Sequence, residues 1–362
     1  MQLRTTTCLF VLGLASAAWL PAAAIGQNGP PQAPAAPAPQ APASQAPAAP
    51  GSSATAPPAP AANPHPFPQV DPANFKATSP TKQTVEDFLK ASWGYDTSRI
   101  WQVQAILPTP APGVSRVLVL VTSKNPGPKD QTAQHSFFTL PDGKFLVADS
   151  LLPFGAKPFQ PYREILQAKA SGPSQGGASK ALELVEFSDF ECPHCKEAQP
   201  IIAKLLADYP SAHFVYQDFP LVQIHTEALK AATHGYCVAK AGNDAFFKFS
   251  DALFATQAGL TPATSDATLK DAETKAGQDP AKIAACADTA AAKDAIKASL
   301  ALGEQVGVNS TPTLFVNGRG LPIVGIPYAM LQKIIEYQAQ LDGVPVPPAP
   351  PAPPEKPAPS LR

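Results

Sequence analysis

Hydrophobic and polar positions in the first half of the chain predict one helix followed by several strands. After Ser79-Pro80-Thr81, which can cap a helix, apolar residues recur at helical spacing, at Val85, Phe88, Leu89 and Trp93. Apolar residues then alternate with glutamines from Trp101 to Ala105, and two strand patterns flank the turn Pro141-Asp142-Gly143. We therefore predict a small α+β domain over residues 67–170, with a helix laid on an antiparallel sheet.

The second half of the chain alternates strand and helix patterns. These patterns predict a strand, a helix, a strand, a helical insertion, two short strands and a closing helix. They span residues 182–188, 193–209, 213–219, 226–304, 313–317, 322–324 and 328–339. In the Ala-rich insertion Phe246, Phe247, Phe249, Leu253 and Phe254 recur at helical spacing. We expect the phenylalanines to form its core, and an exposed peptide groove is the alternative. The segments together predict an α/β domain over residues 180–342.

Proline-rich and glycine-rich composition marks the segments outside these domains. The chain has 45 prolines among 362 residues, and the Pro/Ala-rich residues 27–66 and 343–362 are expected to be a disordered tether and tail. Residues 171–179 are interpreted as a Gly/Ser linker. Residues 1–26 have the charged start, apolar centre and small-residue cleavage zone of a signal peptide. We therefore predict a periplasmic or secreted protein with no transmembrane helix, and Cys8 precedes the apolar centre, so there is no lipobox.

The candidate chemistry lies in Cys192-Pro193-His194-Cys195, which follows the strand pattern of residues 182–188 and opens the next helix pattern. Only a thiolate attacks disulfides, and an unperturbed Cys has a pKa of about 8.5. A helix N-terminus carries partial positive charge and unpaired N–H groups that stabilise a thiolate. Two intervening residues let Cys195 reach Cys192 and resolve a mixed disulfide. The motif predicts a thiol–disulfide redox centre; half of a zinc site and a plain structural disulfide are the alternatives.

Two separated motifs resemble a known family. Residues 187–195, Phe-Ser-Asp-Phe-Glu-Cys-Pro-His-Cys, and residues 307–318, Gly-Val-Asn-Ser-Thr-Pro-Thr-Leu-Phe-Val-Asn-Gly, are similar to those of the DsbA family of exported bacterial oxidoreductases. The resemblance covers residues 180–342. It implies an α/β thioredoxin fold with a helical insertion, here preceded by the small α+β domain. The hairpin around Asp142 resembles, over a short stretch, the N-terminal dimerisation domain of the DsbC and DsbG isomerases.

The resemblance implies a role for individual residues. Cys192 is the nucleophile and Cys195 the resolving thiol. Pro312 is a cis-proline that faces the disulfide, and Thr311 before it contacts the substrate backbone. Glu186, six positions before Cys192, is the buried proton acceptor for Cys195. An ordinary trans bond at Pro312 and a solvated carboxylate at Glu186 are the alternatives.

The two residues between the cysteines carry separate expectations. Pro193 suits the first helical position, where its missing N–H is not needed. The Pro-His pair resembles that of strongly oxidising family members, so His194 is expected to tune the redox centre. An ordinary residue on the helix surface is the alternative for His194.

Two more cysteines, Cys237 and Cys286, lie in helix patterns of the insertion. With Cys192 paired to Cys195, they would form a structural disulfide that closes a loop of about 50 residues. Two buried free thiols are the alternative. His225 and His234 have no ligand-spaced partners and are interpreted as helix residues without a role. No metal site and no cofactor are expected.

These observations predict an exported protein thiol–disulfide oxidoreductase that forms, reduces or isomerises disulfides in cell-envelope proteins. The Pro-His pair favours an oxidase and the additional N-terminal domain favours an isomerase, with the oxidase slightly ahead. Expected partners are cysteine-containing exported proteins, a membrane or periplasmic redox partner, and a second copy bound through the N-terminal domain. A net charge of −1 gives no basis for nucleic-acid binding. The alternative function is a periplasmic chaperone or binding module for unfolded exported proteins, with secondary redox activity.

Overall fold

A computed structural model describes residues 66–125, 132–148 and 151–345 of the chain. The predicted signal peptide, the tether apart from its last residue and most of the predicted tail lie outside the described residues.

The first part of the described chain is a helix packed on an antiparallel meander. It comprises α1 (Lys82–Trp93), β1 (Arg99–Pro108), β2 (Ser115–Ser123), β3 (Ala133–Thr139), β4 (Phe145–Val147) and β5 (Leu151–Pro153). The sheet order is β1-β2-β3-β4-β5. Thr81 caps α1 by accepting the Thr84 N–H at 3.1 Å. Val85 and Leu89 of α1 pack with Val103 and Val117 in the core between helix and sheet.

The second part is a mixed sheet with helices on both faces. Its elements are α2 (Gln160–Lys169), β6 (Ser174–Gly176), β7 (Glu183–Ser188), α3 (Pro193–Asp208), β8 (His213–Asp218), α4 (Ala228–Ala239), α5 (Asn243–Ala255), α6 (Ser265–Lys275), α7 (Pro280–Ala287), α8 (Ala290–Gln305), β9 (Thr313–Val316), β10 (Arg319–Pro322) and α9 (Tyr328–Leu341). The sheet order is β10-β9-β7-β8-β6. Strands β7 and β8 are parallel, and the remaining pairs are antiparallel.

The central strand β7 is buried along its whole length. Leu184 on one face packs in the core with residues of α3 and α9. Val185 and Phe187 on the other face pack with Leu166 of α2 and Leu302 of α8. A strand that is covered on both faces usually consists of consecutive apolar residues. In β7, Glu183 and Glu186 interrupt the apolar residues, and both are buried.

Helices α4 to α8 form the insertion between β8 and β9. Phe246, Phe249 and Phe254 are buried in its core, which confirms that they do not line an exposed groove. A disulfide joins Cys237 of α4 to Cys286 of α7, which are 49 positions apart in sequence. The insertion is therefore tied together covalently across two of its helices.

Residues 171–179, interpreted from composition as a linker, contain a strand. Here β6 pairs with β8 at the edge of the sheet, and Gln217 Oε1 accepts the Gly172 N–H at 2.7 Å. A Cβ atom at Gly172 would lie 1.8 Å from the Tyr216 carbonyl oxygen, and one at Gly177 would lie 2.3 Å from the Ser211 carbonyl oxygen. The glycines thus permit close approach of the backbone to β8 and do not mark a free segment.

Two other boundaries differ from the predictions. Helix α2 was assigned to the small domain, but its Leu166 packs against the sheet of the second part because that face is apolar. The last strand was placed at residues 322–324, but β10 begins at Arg319. Asn317 and Gly318 both have positive φ, 46° and 85°, so the chain reverses within two residues and strand pairing resumes at once.

The two parts are joined by a buried arginine. Arg319 Nη1 donates to the Ser92 carbonyl at 2.9 Å, and Nη2 donates to the Ala91 carbonyl at the C-terminal end of α1. Its Nε donates to Gln338 Oε1 at 3.0 Å, and its guanidinium lies 4.1 Å from the centre of the Phe159 ring. Cations at a helix C-terminus satisfy its unpaired carbonyls. Arg319 therefore fixes α1 against the edge of the second sheet.

Candidate active site

The cysteine motif lies where the central strand meets α3. Strand β7 ends at Ser188, Cys192 is the N-cap residue of α3, and Pro193 occupies its first turn. Both cysteines are free thiols; Cys192 is 5% exposed and Cys195 is fully buried. The Cys195 N–H donates to the Cys192 carbonyl at 3.1 Å, as expected for the first turn of a helix. The predicted strand–turn–helix placement of the motif is thus present.

The surroundings of Cys192 favour its thiolate. Its pKa is lowered to about 5, first by the hydrogen bond from the Cys195 thiol and then by Thr311 and the backbone N–H groups of Cys195 and His194. Burial acts in the opposite direction but does not outweigh these contacts. These contacts favour the thiolate form of Cys192 at neutral pH.

The surroundings of Cys195 favour its thiol. Burial is the main cause that raises the pKa of Cys195, and the nearby Cys192 and Glu186 raise it further. The Asp189 N–H donates to Cys195 Sγ at 3.3 Å. The two sulfurs thus differ: the surroundings of Cys192 favour the reactive thiolate, whereas Cys195 lies beneath it and favours the thiol.

The second motif meets the first across the sheet. Thr311–Pro312 is a cis peptide bond, and Cys192 Sγ lies 3.5 Å from the Thr311 carbonyl oxygen. Strand β9 begins at Thr313, which pairs with Phe187 of β7. Pairing of β9 with β7 therefore brings together residues 119 positions apart.

Glu186 is fully buried on β7, and neither of its carboxylate oxygens has a hydrogen-bond partner among the described residues. Burial raises its pKa to about 8, with the nearby Ser188 hydroxyl lowering it slightly. Glu186 also raises the pKa of Cys195 by electrostatic repulsion, so the carboxyl group lies close to the resolving thiol. Glu186 thus lies close to Cys195, and its proton-accepting role stays a prediction.

His194 points away from the sheet core. Its side chain is 65% exposed, and Nδ1 contacts Glu197 Oε2 at 3.0 Å one turn along α3. The hydrogen bond that His194 donates to the Glu197 carboxylate is the main cause that raises the pKa of His194, and the charge of Cys192 adds to it. The His194 side chain therefore interacts with Cys192 through charge, while the His194 backbone N–H contacts Cys192 directly.

Residues 170–337 match the family described as Thioredoxin. They contain a central sheet with a cysteine pair at a strand–helix junction and a cis-proline opposite it. The match covers slightly less than half of the chain, and this domain has the thioredoxin fold. The thioredoxin fold predicted with a helical insertion is therefore confirmed.

Curated relatives match part of this chain over a small part of their own length. Na(+)/H(+) antiporter NhaA 3 of Salinispora tropica is 33% identical over 145 residues, which are 40% of this chain and 21% of that protein. Na(+)/H(+) antiporter NhaA 1 of Salinispora arenicola is 35% identical over 89 residues, or 25% of this chain and 13% of that protein. The chain thus spans about a fifth or less of these two relatives.

Solved structures resemble about half of the chain. The catalytic domain of Proteus mirabilis ScsC is 23% identical, with a TM-score of 0.42 over 49% of this chain and 98% of that chain. Bacillus subtilis BdbD is 22% identical, with a TM-score of 0.42 over 47% and 93%. The thiol-disulfide exchange protein alpha-DsbA2 of Wolbachia pipientis is 21% identical, with a TM-score of 0.43 over 49% and 94%. At these identities the likeness concerns the fold alone.

Two residues near the cysteines of the thioredoxin domain were missed in the sequence. His225, interpreted as a helix residue without a role, precedes α4 and contacts Asp189 Oδ2 at 2.8 Å through Nδ1. Gln257, in the short 3-10 helix Gln257–Gly259, donates to two backbone carbonyls beside Cys192. No local pattern signals either residue, because their partners lie 36 and about 65 positions away. His234 contacts Glu273 within the insertion.

Within residues 66–125, 132–148 and 151–345, no three His, Cys, Asp or Glu side chains are grouped so as to hold a metal ion. In the same part of the chain, no helix is both long enough and apolar enough to cross a membrane. The arrangement of one thiol with a lowered pKa, a second, fully buried thiol and a buried carboxyl group is chemically suited to thiol–disulfide exchange.

Proposed function

We propose that this protein is an exported thiol–disulfide oxidoreductase that acts on cysteine-containing proteins through Cys192 and Cys195. The observation that carries the proposal is the placement of two free thiols at the junction of β7 and α3, with Cys195 fully buried and Cys192 beside the cis bond Thr311–Pro312. These surroundings lower the pKa of Cys192 to about 5 and raise that of Cys195. A thiol with a low pKa leaves a mixed disulfide readily, and a buried neighbour held as a thiol does not compete with it.

The same difference favours the oxidase direction. A substrate thiolate attacks Cys192 Sγ of the Cys192–Cys195 disulfide, the S–S bond breaks, and the electron pair leaves on Cys195. A second substrate thiolate then attacks the substrate sulfur, releases Cys192 as a thiolate and leaves the substrate oxidised by two electrons. Stabilising the Cys192 thiolate stabilises the reduced protein, so the disulfide form is the stronger oxidant.

Glu186 serves as the proton donor and acceptor for Cys195. Since burial raises its pKa to about 8, the carboxyl group is mostly protonated at neutral pH and can protonate Cys195 as that sulfur leaves. In the reverse direction its carboxylate accepts the Cys195 proton. Thr311, whose carbonyl lies beside Cys192 Sγ, would bind the extended backbone of the substrate next to Pro312.

Export and partners belong to the same proposal. The signal-peptide pattern of residues 1–26 supports export, and the Cys237–Cys286 disulfide is of the kind that persists in oxidising compartments. The substrates would be cysteine-containing exported proteins, and a membrane or periplasmic redox partner would reoxidise the Cys192–Cys195 pair. Dimerisation through the N-terminal domain stays a prediction, which light scattering of the purified protein tests.

The reduction potential of the Cys192–Cys195 pair tests the direction of electron flow. The protein is equilibrated with glutathione buffers, and the two redox states are separated after acid quenching and alkylation. A potential near the roughly −120 mV of strong oxidants supports the oxidase, whereas one near the roughly −270 mV of thioredoxin contradicts it and indicates a reductase.

Cys192→Ala distinguishes an oxidoreductase from a chaperone. The substitution should abolish disulfide transfer to a reduced, unfolded substrate, because no nucleophile remains at the surface. Should the variant suppress aggregation of unfolded proteins as well as the wild type while wild-type transfer is negligible, a binding module would replace the proposed enzyme.

A further inference from the structure

The short segment between β7 and α3, residues 189–192, is bonded to the helical insertion at every position. We call this segment the redox loop. The contacts come from the entry loop (residues 219–227), which leads from β8 into α4, and from the 3-10 helix Gln257–Gly259 after α5. The insertion is thus in direct polar contact with the backbone that carries Cys192.

Asp189 joins the redox loop to the entry loop. Its Oδ2 accepts the Leu221 N–H at 2.8 Å and lies 2.8 Å from His225 Nδ1, while its Oδ1 accepts the Glu191 N–H at 2.8 Å. The Asp189 side chain is fully buried. Its own N–H donates to Cys195 Sγ at 3.3 Å, so the residue that His225 holds also contacts the resolving sulfur.

Gln257 binds the other side of the same loop. Its Nε2 donates to the Phe190 carbonyl and to the Cys192 carbonyl, both at 2.8 Å. These two bonds use both hydrogens of the amide group. They fix the peptide plane that follows Cys192, which is the plane from which α3 begins.

The side chains of Phe190 and Glu191 in the redox loop also contact the insertion. Glu191 Oε2 accepts the Glu227 N–H, which directly precedes α4, at 2.8 Å. The Phe190 ring packs against the rings of Phe246, Phe249 and Phe254 in the insertion, at centroid distances of 6.2, 5.7 and 5.2 Å.

We propose that Gln257 and the Asp189–His225 pair are positioning residues of the redox site. Through them the helical insertion holds the backbone of the redox loop, so that Cys192 lies at the first turn of α3 and Cys195 Sγ lies near the Asp189 N–H. The inference rests on the proposed function and adds to it a role for the insertion. Contacts that fix a backbone plane determine how well nearby N–H groups stabilise a thiolate.

The test compares substitutions that remove these contacts with matched substitutions elsewhere in the insertion. Gln257→Met removes the amide but keeps the length of the side chain. Gln278→Met is its control, because Gln278 Nε2 donates to the Ala276 carbonyl at 3.3 Å, within the insertion. His225→Phe removes the ring nitrogen, and His234→Phe is its control because His234 contacts Glu273 within the insertion.

His225→Asn is the conservative variant, since its amide nitrogen can replace Nδ1 as a donor to Asp189. Each variant is prepared reduced at Cys192 and Cys195 with the Cys237–Cys286 disulfide intact. Two quantities are measured: the pKa of Cys192 from the pH dependence of its alkylation by iodoacetamide, and the equilibrium with glutathione. Thermal unfolding is followed in parallel.

We expect Gln257→Met and His225→Phe to raise the pKa of Cys192 by about half a unit to one unit, because each lost hydrogen bond changes an equilibrium constant by roughly two- to tenfold. The glutathione equilibrium should shift by a similar factor toward the disulfide form. His225→Asn should lie near the wild type. Both control variants should leave the pKa and the equilibrium unchanged, even where they lower the unfolding temperature.

Equal pKa values in Gln257→Met, His225→Phe and the wild type would overturn the inference, as would equal shifts in the control variants. If one of the two substitutions prevents folding, the other still tests the inference. The alkylation measurement does not require disulfide exchange. A wild type that does not exchange with glutathione would therefore contradict the proposed function while the positioning role was still tested.

Discussion

Replacing Glu186 with Gln should make the protein more stable at neutral pH and less sensitive to pH. Glu186 is fully buried without a hydrogen-bond partner among the described residues, and burial raises its pKa from 4.5 to about 8. The folded state therefore keeps a proton that the unfolded state releases above pH 4.5. Stability that is present below pH 4.5 is lost as the pH rises toward 8.

The size of the effect follows from the two pKa values. Relative to the acid limit, this carboxyl group lowers the free energy of unfolding by about 1 kcal/mol at pH 5 and by about 3 kcal/mol at pH 7. Glutamine has nearly the same shape and does not ionise. Between pH 5 and pH 7, the wild type should therefore lose about 2 kcal/mol more stability than Glu186→Gln.

Urea unfolding at pH 5, 6, 7 and 8 measures this difference. Both proteins carry Cys192→Ala, so that no active-site disulfide forms, and the urea midpoint is converted to free energy with the fitted slope. Asp218, whose pKa is also raised to about 8 by burial, contributes to the slope of both proteins, so only their difference reports on Glu186.

Glu304→Gln, at an exposed position near the C-terminal end of α8, is the matched control and should have the pH dependence of the wild type. Parallel stability curves for Glu186→Gln and the wild type would refute the reasoning. They would mean that the carboxyl group is ionised in the folded protein and cannot hold the proton assigned to it.

Three further predictions concern the cysteines and the join between the two parts. The rate of alkylation of reduced Cys192 should have its midpoint near pH 5, the value to which its pKa is lowered. Buried Cys195 should stay unreactive in the folded protein, and mass spectrometry of the alkylated protein measures both. Replacing Cys237 and Cys286 by Ala should lower the free energy of unfolding by about 4 kcal/mol, because the loop they close is about 50 residues long; urea titration measures this. Arg319→Met should lower the free energy of unfolding by about 3 kcal/mol, because it leaves buried carbonyls at the end of α1 unpaired. It should also speed proteolysis after α1.

Each of these predictions has a contrary outcome. A Cys192 midpoint near pH 8.5 would show that the helix and its neighbours do not stabilise the thiolate. An unchanged urea midpoint without Cys237 and Cys286 would show that the disulfide adds nothing to the packing of the insertion. Arg116→Met, at an exposed position of β2, is the control for Arg319→Met, and equal digestion of the two variants would contradict the proposed join.

Local pattern was enough to place the cysteine motif. A buried strand that ends at Ser188 and a helix that begins at Pro193 both follow from the spacing of apolar residues and from proline chemistry within about 25 residues. Asn317 and Gly318 also form a turn for a local reason, since few other dipeptides accept two positive φ values. The same reasoning failed at residues 171–179, which we interpreted as a linker because they are small. In the structure these small residues allow β6 to approach β8 closely.

The sequence by itself determined the nature of the chemistry: two cysteines at a strand–helix junction, and a Thr-Pro segment able to face them. Only the tertiary structure decided how the two thiols differ, because the pKa of each depends on burial and on groups from distant parts of the chain, such as Thr311 and Glu186. The same holds for His225 and Gln257. Their importance comes from contacts with the redox loop, and such contacts exist only once the insertion has packed against the sheet.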